Sequence, residues 1–301
     1  MPRCPGRHSG DEVIEHLVVI GVGLIGGSFA LDLRKKGLVG RVTGVGRGRA
    51  NLEKAKELGI VDAIADSAAA AVKDADLVLL AIPVGAMAAV FRDVAASLPA
   101  RCILTDAGST KQDVIAAARA GLGGKIGQFV PGHPIAGAET NGAEAARTGL
   151  YYHKPYVLTP LPENPPAAVE TVQALWKACG AQVSEMEAAR HDQVFAAVSH
   201  LPHLVAFALM EELAGRPDAE TYFRHAGNGF RDFTRIAGSH PEMWRDISLA
   251  NKDALVAELD TFIAKLAGMR GLLARGDGQA LEGLFTRARE ARLNWIKGKR
   301  H

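Results

Sequence analysis

From residue 16 to about residue 187 the chain alternates short aliphatic, β-branched runs with Ala-rich segments that favour helix. The runs fall at 16–20, 42–45, 76–82, 102–106, 128–130, 156–159 and 181–186, and the helical patterns at 24–36, 50–58, 84–97, 110–120 and 166–178. Such alternation predicts an α/β fold, a Rossmann-type, doubly wound and mainly parallel sheet with helices on both faces. After residue 188 the strand signals stop, and Gly/Pro/Ser breakers at 215–218, 227–229 and 238–241 separate helices. The expected division is a flexible tail over 1–13, an α/β domain over 14–187 and a second, all-helical domain over 188–301.

Two long stripes close the chain. Leu255, Leu259, Phe262, Leu266, Met269 and Leu273 recur at helical spacing, and Leu281, Leu284, Phe285, Ala288, Arg292 and Trp295 repeat the pattern more weakly. A helical domain of this size has little room to cover both. Either they pack within the domain or a second copy covers them, and a homodimer is expected.

Composition narrows the classes of partner. Thirty-five basic and 33 acidic side chains leave a formal charge of +2, so no large field invites a nucleic acid or an anionic membrane. No continuous apolar stretch reads as a membrane span or a signal peptide. Cys4, Cys102 and Cys179 lie far apart without metal-ligand spacing, which fits a reducing, cytoplasmic setting and no metal site.

The strongest local signal is Gly21-Val22-Gly23-Leu24-Ile25-Gly26, a GxGxxG directly after a strand pattern and before a helical one. Gly21 permits the tight turn, Gly23 lets backbone approach a pyrophosphate, and Gly26 allows close helix–strand packing. Leu24 and Ile25 open the helix whose N-terminus faces the phosphates. A dinucleotide is therefore the expected cofactor. Where an NAD site carries an acidic residue for the ribose 2′-hydroxyl, this chain has Gly46, followed by Arg47-Gly48-Arg49. The missing carboxylate and the two guanidiniums favour NADP, with NAD as the alternative.

Four further clusters fall at or after expected strand ends or in the helical half: Asp106-Ala107-Gly108-Ser109-Thr110-Lys111, Gly132-His133-Pro134-Ile135-Ala136-Gly137-Ala138-Glu139, Ser199-His200-Leu201-Pro202-His203, and 230–237 with 241–245 after it. In this order and rough spacing the motifs resemble the prephenate dehydrogenase family, with its arogenate and cyclohexadienyl variants, over residues 15 to 296. The resemblance implies an NAD(P)-dependent oxidative decarboxylation on the route to tyrosine, in which hydride leaves C4 of a cyclohexadienyl acid, prephenate or arogenate, for the nicotinamide while carbon dioxide departs.

By the same resemblance His133 is the catalytic histidine that accepts the 4-hydroxyl hydrogen bond, a task suited to a neutral imidazole. Ser109 orients that hydroxyl and the nicotinamide. Arg235 binds the substrate carboxylate, with Asp232 one turn earlier; Ser199 and His203 line the pocket, and Trp244 and Glu139 line or gate it. His200 is expected to be structural. Two departures, Ala138 for a hydroxyl residue and His240 for Asp, bear on tyrosine inhibition and fine substrate choice. No chorismate mutase segment is expected before the fingerprint and no regulatory domain after residue 296.

Rival readings remain at this stage. Another two-domain NADP-dependent enzyme of the β-hydroxyacid dehydrogenase or imine reductase type would rely on a helical-domain lysine, for which Lys252 is the conspicuous candidate. A metal-dependent hydrolase would use His133, His200 and His203 but lacks a carboxylate pair. A nucleotide-binding regulator without turnover would leave the pocket residues coincidental.

Overall fold

The computed structural model describes residues 13–137 and 140–298. Two compact units divide the chain, the first ending at Lys252 and the second beginning at Asp253. The first opens with β1 (Ile14–Ile20), α1 (Leu24–Lys35), β2 (Val39–Val45), α2 (Arg49–Glu57), β3 (Ala63–Ile64), α3 (Ala68–Ala71), β4 (Leu77–Leu80), α4 (Val84–Ala95), β5 (Ile103–Asp106), α5 (Gln112–Leu122) and β6 (Phe129–Val130). Their strands form a six-stranded sheet of order β3-β2-β1-β4-β5-β6, parallel at every pairing. The order reverses beside β1, which puts the crevice for a ligand at the carboxyl ends of β1 and β4.

Burial explains the sequence pattern. All four residues of β4 are fully buried, as a strand covered on both faces requires. Phe29 of α1 lies in the core cluster on one side of the sheet, and Met87 and Phe91 of α4 lie in the cluster on the other.

The expected strands at 156–159 and 181–186 do form, but not in this sheet. With β7 (Gly132–Pro134) they make a second, three-stranded sheet, β7-β8-β9, from β8 (Pro155–Leu158) and β9 (Gln182–Glu185), with α6 (Pro166–Ala178) between the last two. β7 runs antiparallel to β8, and β8 parallel to β9. Trp176 on α6 ties it to the larger sheet, stacking on Tyr156 at 4.2 Å and meeting Phe29 at 4.6 Å between ring centroids. β7 is too short, and too rich in Gly and Pro, to announce itself as a strand.

The helical part of the first unit comprises α7 (Ala188–Phe195), α8 (Leu201–Ala214), α9 (Ala219–Arg224), α10 (Asn228–Thr234) and α11 (Pro241–Ala250). A π turn, Ala196–His200, makes α7 and α8 one continuous helix. Pro202 accounts for it: lacking an N–H and crowding the preceding turn, proline cannot follow an unmodified α-helical register. The His203 ring takes up a carbonyl there, its Nδ1–H donating to Ser199 O at 2.8 Å. Contrary to the expectation of no span-like stretch, the helix Ala188–Ala214 is long and apolar enough by length and composition to cross a membrane. Its buried polar residues His191, Asp192 and His200 face protein groups instead, and apolar side chains of α11, Trp244 and Ile247, pack beside Val84 and Met87 of α4.

The second unit holds most of α12 (Lys252–Arg275) and all of α13 (Gly278–Gly298). The Asp277 carboxylate accepts from the Ala280 N–H at 3.0 Å and caps α13. In the single chain Leu266, Phe285 and Trp295 are about half exposed and Leu273 about two-thirds exposed.

Candidate active site

The fingerprint turn fits a dinucleotide for steric reasons. Gly21 has φ +98°, and a Cβ there would lie 2.3 Å from the Ala81 carbonyl oxygen at the end of β4. A Cβ on Gly26 would meet Gly21 O at 2.5 Å, whereas above Gly23 the nearest atom would be 4.0 Å away, Gly142 N. Backbone is thus exposed where a pyrophosphate approaches, and Leu24 begins α1 with its N–H groups toward that point. Asn51 holds the facing loop in place: its Nδ2 donates to Val22 O at 2.7 Å and its Oδ1 accepts from Ala143 N–H at 2.8 Å.

At the adenosine end β2 runs into exposed Gly46 and Arg47, with no acidic side chain at that point. Arg49, the first residue of α2, pairs with Glu53 at 2.5 Å and lies 3.6 Å from Asp66. Arg47 makes no ion pair among the described residues and is the freer of the two.

Two cavities meet beyond the fingerprint. The first, of about 330 Å³, is lined by Gly23, Leu24 and Ile25 together with Pro83, Ser109 and His133. The second, of about 400 Å³, brings together Ser109, His133, Ser199, His203, Arg235 and Trp244. Six side chains expected from scattered motifs therefore surround one space, and Ser109 and His133 line both cavities. Among the described lining residues of the second, Arg235 carries the only fixed charge, which suits an anion. The His203 ring stacks on Trp244 with centroids 3.6 Å apart. Glu139, expected at the same pocket, lies outside the described residues, as does Ala138. Lys252 lines neither cavity.

Behind His133 lies a buried polar network. Lys111 and Asp106 pair with neither side chain exposed. Lys111 Nζ also donates to Gly132 O at 2.8 Å, and Asp106 accepts from Gly132 N–H at 3.0 Å, so both backbone groups of the residue before His133 are held. His133 Nδ1 is 2.9 Å from His191 Nε2, and His191 Nδ1 is 2.8 Å from Asp192 Oδ1. Asp192 accepts further from the N–H groups of Lys111 at 2.8 Å and Gln112 at 2.9 Å, at the start of α5. Asn251 donates to Asp192 O at 2.8 Å and lies 3.2 Å from His200 Nδ1.

These surroundings set the charges. Burial pushes the His133 imidazole well below its ordinary range, and neighbouring His191, Lys111 and His200 act in the same sense. Burial alone would raise the Asp192 carboxyl, but hydrogen bonds from His191, Gln112 and Lys111 outweigh it and hold the group below the usual range. His200 is pushed down to about 4, mainly by burial. A neutral imidazole is thus presented to the cavities.

Sequence reasoning did not assign a role to His191, Asp192 or Asn251. No local signal marks them, because, apart from the contact of His191 with Asp192 itself, their partners lie 51 to 81 residues away in the chain.

Comparison with known proteins fits this geometry. Residues 29–185 match the family model for the prephenate dehydrogenase nucleotide-binding domain, and residues 187–287 that for the prephenate dehydrogenase dimerization domain. Cyclohexadienyl dehydrogenase of Zymomonas mobilis is 36% identical over 93% of this chain and 96% of its own. The crystal structure of prephenate dehydrogenase from A. aeolicus in complex with hydroxyphenyl propionate and NAD+ aligns with a TM-score of 0.85 at 36% identity, covering 94% of this chain and 98% of that one. Synechocystis arogenate dehydrogenase aligns at 0.77 with 29% identity, covering 93% and 99%. With both halves matched and relatives aligned nearly end to end, the fold and the linked motifs have one explanation: the chain belongs to the prephenate dehydrogenase family.

Proposed function

We propose that this protein oxidatively decarboxylates a cyclohexadienyl acid, prephenate or arogenate, as a step of tyrosine formation, with NADP as the preferred nicotinamide cofactor. One observation carries the reading: Ser109 and His133 line both the cavity at the fingerprint and the cavity at Arg235, where hydride donor carbon and nicotinamide must meet. Bound along the fingerprint, the nicotinamide supplies the hydride acceptor. Arg235 receives the substrate carboxylate, and Ser199, His203 and Trp244 shape the space around the ring. His133, kept neutral by burial, accepts the proton of the 4-hydroxyl as hydride leaves the same carbon; Ser109 orients that hydroxyl. The C–C electrons left by departing carbon dioxide complete the aromatic ring.

NADP is favoured because the chain leaves β2 through Gly46, where a carboxylate would repel a 2′-phosphate, and because Arg47 and Arg49 stand exposed beside it. The resemblance to a dimerization domain, with the apolar side chains exposed on α12 and α13, supports a homodimer formed through the C-terminal region. The unpaired, buried Cys102 and Cys179 accord with a reducing cytoplasm.

The decisive assay offers each acid with NADP or NAD and follows reduced nicotinamide by absorbance. Turnover of at least one acid is expected, faster at low nucleotide with NADP; no turnover of either would reject the activity.

A further inference from the structure

His133 reaches the cavities with one nitrogen already engaged, and the engagement is directional. Asp192 accepts from two backbone N–H groups at the start of α5 and, among the described residues, from no acid, so it stands there as a carboxylate. Its Oδ1, 2.8 Å from His191 Nδ1, requires a donor at that nitrogen. A neutral His191 protonated at Nδ1 has only a lone pair at Nε2. That lone pair faces His133 Nδ1 at 2.9 Å, which must then carry the hydrogen. The remaining nitrogen of His133, Nε2, is left as an acceptor. Phe195 fixes both rings by packing against them, with centroids 4.8 Å from His133 and 4.4 Å from His191.

We propose that His191 and Asp192 are positioning residues that set the tautomer of His133, so that Nε2 meets the substrate hydroxyl with its lone pair. The proposal rests on the function given above for His133. A free imidazole divides its proton between its two nitrogens, and the Nε2–H form would offer the hydroxyl a donor where an acceptor is needed. Here the proton lost by the hydroxyl goes to Nε2. The Nδ1–H of the resulting imidazolium keeps its acceptor in His191, whose own Nδ1–H remains bonded to the Asp192 carboxylate. No proton need leave His133 until product departs.

The test starts with ligand-free wild-type protein, so that it does not depend on which acid is turned over. Imidazole ¹⁵N NMR, with His133 assigned by its loss in His133→Asn, is expected to place the proton on Nδ1. Proton occupancy of Nε2 in that spectrum overturns the proposal, whatever the enzyme oxidises. Kinetics then test the consequence. His191→Phe removes the acceptor and should lower kcat by about 10- to 100-fold, the usual cost of losing an orienting partner behind a functional histidine, with KM for the acid and the nucleotide within about twofold. His191→Gln, which retains an amide oxygen toward His133, should recover part of that loss. Equal kcat in His191→Phe and wild type, with the wild type active, also overturns the proposal while leaving the activity intact.

Discussion

Lys111 and Asp106 form an ion pair in which neither side chain has any solvent exposure. Burying two charges is costly, and the pair is tolerable only because their other hydrogen-bonding capacity is used: Lys111 Nζ on Gly132 O, and Asp106 on the N–H groups of Gly132 and Gly108. The consequence is that the backbone entering β7, and with it His133, is held from the end of β5. Lys111→Met leaves a carboxylate buried without its counter-charge, and a loss of about 3 to 5 kcal/mol in unfolding free energy is expected. Urea denaturation measures it; a loss under about 1 kcal/mol would show that the pair does not hold this junction.

What the sequence discloses here follows the reach of each signal. Strand and helix patterns are local, so the five parallel-sheet runs and their crossover helices were legible, as was the Gly21 turn, whose spacing reflects a steric need. Partner choice is not local. The runs at 156–159 and 181–186 read as members of the main sheet but form a second one, the first pairing with β7, three residues whose Gly and Pro conceal a strand, and the second pairing with the first. Ser109, His133, Ser199, His203, Arg235 and Trp244 were nameable because linked motifs resemble a family, and they do surround one cavity. His191 and Asp192 lie between those motifs, and only folding brings them behind His133.

Cofactor choice gives a second prediction. Arg49 is already paired with Glu53 and near Asp66, whereas Arg47 is exposed and makes no ion pair among the described residues. Arg47→Ala should therefore account for most of the weakening seen in an Arg47→Ala/Arg49→Ala double variant. Loss of a charged hydrogen-bond partner predicts KM for NADP raised by about 10- to 100-fold with KM for NAD little changed. A double variant that keeps the wild-type ratio of the two constants would reject the arginine argument.

Acid should destabilise the fold in a defined window. His200 has an ordinary value of 6.5 and is held at about 4 in the folded protein. Between these values the unfolded chain binds a proton that the folded chain does not, so stability is present above about 6.5 and is lost as pH falls toward about 4. The maximal slope is about 1.4 kcal/mol per pH unit for one such group. Buried His133 and His191 and partly buried His203 are lowered in the same direction, while the raised carboxyls of Asp32 and Asp113 act in the opposite one. The measurement is consequently a difference: Tm of His200→Gln should fall less steeply than wild-type Tm from about pH 7 to about pH 5. Parallel curves would contradict the assignment.

The last prediction separates His133 from Arg235 by when each one's partner acquires charge. The substrate carboxylate is an anion before it binds, so a guanidinium at Arg235 contributes as much to the bound ground state as to the transition state, and its removal belongs in KM. Arg235→Ala should raise KM for the acid by roughly 10- to 100-fold, the range for one charged hydrogen-bonded partner, and leave kcat at saturation near wild type. The hydroxyl becomes acidic only while hydride departs, so an acceptor at His133 acts in the transition state, and His133→Asn should lower kcat by about 10² to 10⁴ with KM little altered. Burial refines the pH profile expected from an ordinary imidazole. Because His133 is held well below 6.5, its lone pair persists through that pH, and wild-type kcat/KM should decline only at lower values, as protonation removes the acceptor. The acid limb should vanish in His133→Asn and survive in Arg235→Ala. A His133→Asn enzyme with wild-type kcat, or an Arg235→Ala enzyme with unchanged KM, would reassign the chemistry within the same cavity, to His203 first, whose ring is only partly buried and stacks on Trp244.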